Sequence, residues 1–509
     1  MTMKAIFGKA SLVLVAIAAQ IAFSSAAVLY WMCCSWTFCL VAALLSGVVI
    51  CRILVKKTPL ESRLSWLFFL IVTPFFGVTL YYLVAITRRQ PGYLRRAREI
   101  GRAIADVMTS AATEVPSVGD YPDERFVGIA TELFRTSGAR CCAGSETRYF
   151  DCGESFFQDL LVELEKAEKF IFMDYFIIKD GHMWHTLHAI LRRKAADGVE
   201  VRILCDDFGS MSHLSAQFRK RLAAEGIALR RFNVMRPCMC SAYNERDHRK
   251  ITVIDGSVGY AGGVNIGDEY VFGEDGDCHW KDTAIRVRGP AVRNLTAAFL
   301  MLYDLTEGRM SEYARYLGVA SVPYDVHGLV QPFSNGPREV YGNDVFKSHY
   351  LNLIHAARKY VYITTPYLVT DDKLVSALES AVARGVDVRI IIPQRPGRRL
   401  FNLLLCYSVP RLLAHGVQVF AYGPGFIHAK TLVMDDICAV VGSINLDFRS
   451  MAMHHECGVT LYGGETVVDI RRDFEATLSK TESLYVNDYE TSGIRKVAVE
   501  LLGLISPIL

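Results

Sequence analysis

A set of five residues occurs twice in this 509-residue chain with the same internal spacing. His248, Lys250, Asp255, Gly262 and Asn265 recur as His428, Lys430, Asp435, Gly442 and Asn445, each displaced by 180 positions. A chain of this composition should contain one HxKxxxxD pattern about 0.03 times by chance. A second copy with a matching tail therefore marks an internal duplication.

The flanking segments repeat as well. Residues 156–169 read as an amphipathic helix, 170–178 as a buried strand, 183–197 as a helix and 198–204 as a turn into a strand. The order recurs at 345–359, 360–368, 373–384 and 385–391. Strands alternating with helices predict an α/β fold: largely parallel or mixed sheets covered on both faces. Two tandem units with pseudo-twofold symmetry are expected, over residues 118–325 and 326–509.

A different kind of segment precedes them. Residues 10–51 are 42 positions without Asp, Glu, Lys, Arg or His. At 1.5 Å per residue such a run crosses a hydrocarbon core of about 30 Å twice. A second uncharged run covers 64–87 and contains Pro74 and Gly77. A cleaved signal peptide would use Lys4, Lys9 and the small residues Ser25, Ala26 and Ala27, but the apolar run continues well past that point. Three basic clusters favour the cytoplasmic side: Lys4 and Lys9; Arg52, Lys56, Lys57 and Arg63; and Arg88, Arg89, Arg95, Arg96, Arg98 and Arg102. Two topologies follow. Either a spanning hairpin is joined by a re-entrant or in-plane helix pair kinked at Pro74 and Gly77, with the body cytoplasmic, or a third crossing puts the body outside. Residues 1–105 are thus expected to form a multi-pass anchor in the inner (cytoplasmic) membrane, with an apolar interfacial segment at 494–509.

Charge separates the same regions. Residues 1–102 carry a net +10 and the remainder −7. A nucleic-acid binder would carry its positive charge on the folded body, so no nucleic-acid partner is expected. The 14 cysteines lack paired CxxC spacing and read as reduced thiols rather than a zinc site.

On a strand, residues two apart share a face, so each motif His points the same way as its Lys. If the halves pack about a twofold axis, two imidazoles and two ammoniums converge. Lys250, Lys430, Asn265 and Asn445, with the close backbone approach allowed at Gly263 and Ser443, suit a phosphate group. One imidazole can attack phosphorus while the other protonates the departing oxygen, leaving a phosphohistidine. No metal or cofactor is called for, because cations and amides already offset the charge. Asp282 and Glu456, each just ahead of a strand-like run that follows a motif, are candidates to orient the imidazoles. Asp255 and Asp435 belong to the catalytic set or brace the fold. His349 and seven other histidines read as surface, while His279, His454 and His455 are left open.

These residues resemble the phospholipase D superfamily, whose mark is the paired HxKxxxxD motif followed by Gly-Gly/Ser-x-Asn. Trp280-Lys281-Asp282 and Asn445-Leu446-Asp447-Phe448-Arg449-Ser450, with the leader, narrow the likeness to bacterial cardiolipin synthases. His454-His455 departs from that group, which more often has Asn and an apolar residue. The resemblance implies two phospholipase D-type α/β/α sandwiches and a ping-pong transfer between two phosphatidylglycerol molecules. His248 would be the nucleophile and His428 the acid and base, giving cardiolipin and glycerol. The implied partners are membrane phospholipids and the bilayer, with a homo-oligomer left open. A hydrolytic phospholipase D, or another head-group transferase such as a phosphatidylserine synthase, shares the same catalytic residues.

Overall fold

The computed structural model describes residues 25–26, 29–30, 35–55, 60–82, 92–110, 116–235, 244–272, 280–318, 322–395, 399–489 and 492–506. The chain separates into two compact units, one from residues 1–90, 235–244 and 493–509, the other from 91–234 and 245–492.

The larger unit holds two large sheets and one of two strands. Its first eight strands are β1 (Glu146–Phe150), β2 (Phe170–Tyr175), β3 (Glu200–Asp206), β4 (Ile227–Phe232), β5 (Lys250–Ile254), β6 (Val258–Gly262), β7 (Trp280–Lys281) and β8 (Ala284–Arg288). Next come β9 (Leu329–Asn335), β10 (Tyr360–Thr364), β11 (Asp387–Pro393), β12 (Gln418–Tyr422), β13 (Phe426–Ile427), β14 (Thr431–Met434), β15 (Cys438–Gly442), β16 (Glu456–Tyr462) and β17 (Thr481–Ser483). One sheet runs β1-β8-β6-β5-β2-β3-β4, and the other runs β9-β16-β15-β14-β10-β11-β12 with β17 added at the end. The orders match strand for strand. In each, three parallel strands meet an antiparallel ladder at the strand that carries the motif. The expected duplicated α/β architecture is therefore present.

Each sheet is sandwiched. Helices Gly153–Glu165 and His182–Ala196 cover one face of the first sheet with Leu160, Leu164, Leu187 and Leu191. Helices Val345–Ala356 and Asp372–Ala383 cover the corresponding face of the second with Leu353 and Leu378. The other two faces share one core, in which Phe172 stacks on Phe299 at 4.7 Å and Tyr362 stacks on Phe474 at 4.7 Å. Such offset pairs add about 0.5–1.5 kcal/mol each beyond burial.

Three segments depart from the expected boundaries. Helix Tyr93–Ser110, expected to end the leader, buries Ala97, Ile100, Ile104 and Met108 in the shared core and leaves Arg95, Arg98 and Arg102 exposed. Its 3–4 spaced apolar stripe needs a partner surface. Helix Arg125–Ser137, expected with the first half, packs Phe126, Ile129 and Leu133 into the core of the second sheet. Helix Gly493–Ile505, expected with the second half, belongs to the smaller unit.

In that smaller unit, helix Leu60–Val72 gives way at Thr73 to helix Pro74–Leu80. Pro74 has no N–H to continue the ladder. The chain folds back, bringing the rings of Trp66 and Tyr81 edge to face at 5.4 Å. A Cβ at Gly77 would lie 2.6 Å from the Phe69 carbonyl oxygen, so only glycine permits this approach. The tail helix packs against helix Leu60–Val72, and the Ser65 hydroxyl donates to the Leu504 carbonyl at 2.6 Å. Among the described residues no helix is long and apolar enough to cross a membrane. Helix Trp36–Val55 has only 16 uncharged residues ahead of Arg52, short of the roughly 20 a crossing needs. Much of the expected hairpin at 10–51 lies outside the described residues.

Candidate active site

Lys250 opens β5 and Lys430 directly precedes β14, so each strand start fixes one motif cation. Each Lys ammonium donates to the carbonyl of its own motif His, and all four residues are buried.

The imidazoles are oriented across the twofold axis, each by a carboxylate of the opposite half. His248 Nδ1 lies 3.0 Å from both oxygens of Glu456, and His428 Nδ1 lies 2.5 Å from Asp282 Oδ2. The backbone repeats the exchange. The His248 N–H donates to the His455 carbonyl at 2.9 Å and the His428 N–H to the Lys281 carbonyl at 2.7 Å. Parallel pairing of β7 with β13, and a bridge between Asp247 and His455, bind the halves at these points. A carboxylate at Nδ1 fixes the N–H there and leaves Nε2 as the free base.

The electrostatics show one shared site. Burial, then the charges of Lys250, Lys430 and His428, hold His248 well below the ordinary histidine range. Burial and Lys430 push His428 down to about 4 against the pull of Asp282. Burial lowers Lys250 to about 8 and Lys430 to about 7, while Glu456 and Asp282 act on both in the opposite sense. Burial lifts Glu456 to about 7, opposed by Lys250 and by the hydroxyls of Ser443 and Ser450. Burial disfavours positive charge on all four side chains, so an anion bound among them would raise their affinity for protons.

Several expected phosphate ligands have other duties. Gly263 backs Asp282, since a Cβ there would lie 2.1 Å from Asp282 Oδ1. Ser443 donates its hydroxyl to Glu456, as does Ser450 at 2.8 Å. Gly263 and Ser443 thus support the carboxylates. The Asn265 amide oxygen accepts from the Ile177 N–H at 3.0 Å and its nitrogen donates to the Tyr270 hydroxyl at 2.7 Å, whereas the Asn445 oxygen has no protein partner.

Asp255 and Asp435, placed by sequence in the catalytic set, lie at the far ends of the motif strands. Asp255 accepts from the N–H groups of Glu168, Lys169 and Phe170 at 2.7–2.8 Å. Asp435 accepts from those of Arg358, Lys359 and Tyr360 at 2.8–3.0 Å and from Arg125 at 2.9 Å. Five residues of extended chain span about 16 Å, which takes these carboxylates out of reach of the imidazoles. They tie the strand-entry loops and turn tightly, at φ 53° and 56°.

His349 is buried rather than exposed, with Nε2 2.8 Å from the Thr460 hydroxyl. His455 is buried 3.2 Å from Glu245, while His279 lies outside the described residues. Among the described residues, His248, His454 and Glu456 are the one group with ligand atoms close enough to hold a metal, within 4.8 Å of one another. The two adjacent lysines oppose a cation there.

A family profile described as "Cardiolipin synthase, PLD-like domain" matches residues 160–283 and 350–478. A protein of Geobacillus sp. (strain WCH70) described as cardiolipin synthase is 34% identical over 72% of this chain and 72% of its own. Cardiolipin synthase 2 of Bacillus anthracis is 30% identical over 92% of this chain and 90% of its own. The crystal structure of phosphatidylserine synthase from Haemophilus influenzae Rd KW20 superposes with a TM-score of 0.59 at 14% identity, covering 75% of this chain and 99% of that one. That likeness concerns the fold.

Proposed function

We infer the reaction from one premise: this chain belongs to the phospholipase D-like family of cardiolipin synthases, and it is a phosphatidyltransferase. The observation that carries the mechanism is the crossed pairing of His248 with Glu456 and of His428 with Asp282.

In the proposed reaction His248 Nε2 attacks the phosphorus of phosphatidylglycerol. The P–N bond forms, the P–O bond to the head-group glycerol breaks, and the leaving oxygen takes the Nε2 proton of His428, which the bound phosphate anion holds in its imidazolium form. Lys250 and Lys430 neutralise the phosphoryl oxygens as charge builds, and Asn445 contributes its side-chain amide. The terminal hydroxyl of a second phosphatidylglycerol then attacks phosphorus, gives its proton to His428 and displaces His248. The products are cardiolipin and glycerol. One phosphodiester replaces another, so the exchange is nearly balanced and water must be kept out.

The assignment of nucleophile and acid comes from the family resemblance, since the crossed pairing treats both histidines alike. Membrane association follows from the family, and the proposed anchor is the smaller unit. Its helices expose Leu40, Val41, Leu44, Leu45 and Val48, with Ile494 and Val497 on the tail. Apolar exposure of this kind marks a lipid-facing surface. The arginines at 95, 98 and 102 suit anionic lipid head groups. The cytoplasmic placement of the body remains part of this proposal. Reaction of a cysteine placed at residue 120 with an impermeant label applied to intact cells would reverse the orientation.

The test is the purified full chain in mixed micelles with labelled phosphatidylglycerol and chelator. Cardiolipin and glycerol in equal amounts are expected. Phosphatidic acid as the only product would make the enzyme a hydrolase.

A further inference from the structure

The transfer reading does not use one group in the site. His454 sits two residues before Glu456, with its ring centroid 5.8 Å from that of His248 at 40°. Both of its ring nitrogens are buried and without a hydrogen-bond partner in the protein. Its Nδ1 is 3.8 Å from Glu456 Oε1, too far for a hydrogen bond. Every imidazole carries at least one N–H, and leaving a buried donor unpaired is unfavourable. A ligand that pairs with it recovers that cost.

The counterpart in the other half sharpens the point. Lys281-Asp282 corresponds to His455-Glu456, so Trp280 corresponds to His454. Trp280 lies 5.5 Å from His428 and packs on Phe426 and Tyr270. Where one histidine has an apolar wall, the other has a polar ring with an unused donor. Burial and the neighbouring His248, Arg449, Arg246 and Lys250 charges also hold His454 well below the usual histidine range, which suits a neutral hydrogen-bond donor.

We infer that His454 donates a hydrogen bond to an oxygen of the phosphatidyl group carried by His248, either a non-bridging phosphoryl oxygen or the ester oxygen of the retained diacylglycerol. This rests on the transfer reading. His454 neither gains nor loses a proton: the P–N bond forms at His248, the P–O bond to glycerol breaks, and His428 supplies the leaving group's proton. His454 strengthens its bond as negative charge gathers on phosphorus-bound oxygen, which lowers the barrier to the adduct rather than the cost of lipid binding.

The test is rapid-quench measurement of ³²P transfer from phosphatidylglycerol to the full-length enzyme in mixed micelles. Wild type is compared with His454→Phe, which keeps a ring and loses the donor, and with His454→Asn and His454→Gln, which keep an N–H. Adduct formation is expected to slow about 100-fold in His454→Phe, with KM for the lipid within about twofold of wild type. At least one amide variant should recover to within about fivefold of wild type. A His454→Phe rate equal to wild type overturns the inference. So does equal slowing in all three variants with unchanged melting temperatures, since a packing role would give that pattern. Failure of wild type itself to become labelled would reject the transfer reading, and it registers before any variant is compared.

Discussion

The two halves of the body share a backbone plan but surround their motif histidines differently. His428 is walled by the rings of Trp280, Tyr270 and Phe426, at 5.5, 5.6 and 6.0 Å. His248 has Phe176 at 5.1 Å and the unpartnered His454. Glu456 is held by two serine hydroxyls, whereas Asp282 rests against a glycine. Behind the first motif, fully buried Arg249 pairs with Asp174 at 2.6 Å and Asp247 at 2.9 Å. The second motif carries Ala429 and Thr364 at the positions of Arg249 and Asp174. Duplication supplies the geometry, and side-chain divergence breaks the symmetry. On the transfer reading, the aromatic side receives the exchanging alcohols and excludes water, and the polar side carries the covalent intermediate.

Removing each imidazole in turn should have the largest effect. His248→Ala should abolish adduct and turnover by at least about 10⁴-fold. His428→Ala should instead accumulate labelled enzyme that releases its phosphatidyl group slowly, as seen on acid-free gels after a pulse of labelled lipid. Loss of label in His428→Ala alone would exchange the two roles. Removing the orienting charges should have a smaller effect. Glu456→Gln and Asp282→Asn should each lower kcat about 10²-fold. Glu456 raises the pKa of both lysines, so its loss lets the ammoniums deprotonate at lower pH. The alkaline limb of kcat/KM, set near pH 7–8 by Lys430 and Lys250, should therefore move toward acid in Glu456→Gln. A shift the other way would break the link.

The smallest effect distinguishes the structural aspartates. Asp435 has one more partner, Arg125, than Asp255. In urea unfolding Asp435→Ala should cost about 3 kcal/mol and Asp255→Ala about 2 kcal/mol. Burial alone would raise the Asp435 carboxyl, but the N–H groups of Lys359, Tyr360 and Arg358, with Arg125, hold it below the usual range. The folded pKa is depressed, so the stabilisation is present above the unfolded value of about 3.9 and is lost as pH falls through the folded one. The gap between wild type and Asp435→Ala should close below about pH 4.

Much of this was legible in the sequence for a physical reason: local patterns write local structure. The predicted strand at 360–368 begins at the observed Tyr360, and the helix read at 183–197 matches His182–Ala196 within one residue at either end. Asp282 and Glu456 were identifiable because each precedes a strand that follows a motif. Their exchange between halves was not, because the partners are 208 and 146 positions apart and only tertiary packing joins them. The structural role of Asp255 and Asp435 was open in sequence, and the turn that carries them away from the site decides it. The Arg249 pair is not legible in sequence, because an arginine between the motif His and Lys reads as solvated and its partner Asp174 lies on another strand. His454 was visible as a departure, but its unpartnered nitrogens appear only once its neighbours are in place.

The swapped carboxylates have a bearing on biosynthesis. A nascent polypeptide emerging close to its own substrate is a hazard if it cleaves lipids prematurely. Here the first histidine waits for an acid 208 positions further along the chain, and the second must reach back to an acid 146 positions before it. Neither half alone therefore orients its own imidazole, and full reactivity requires both halves to be made and docked.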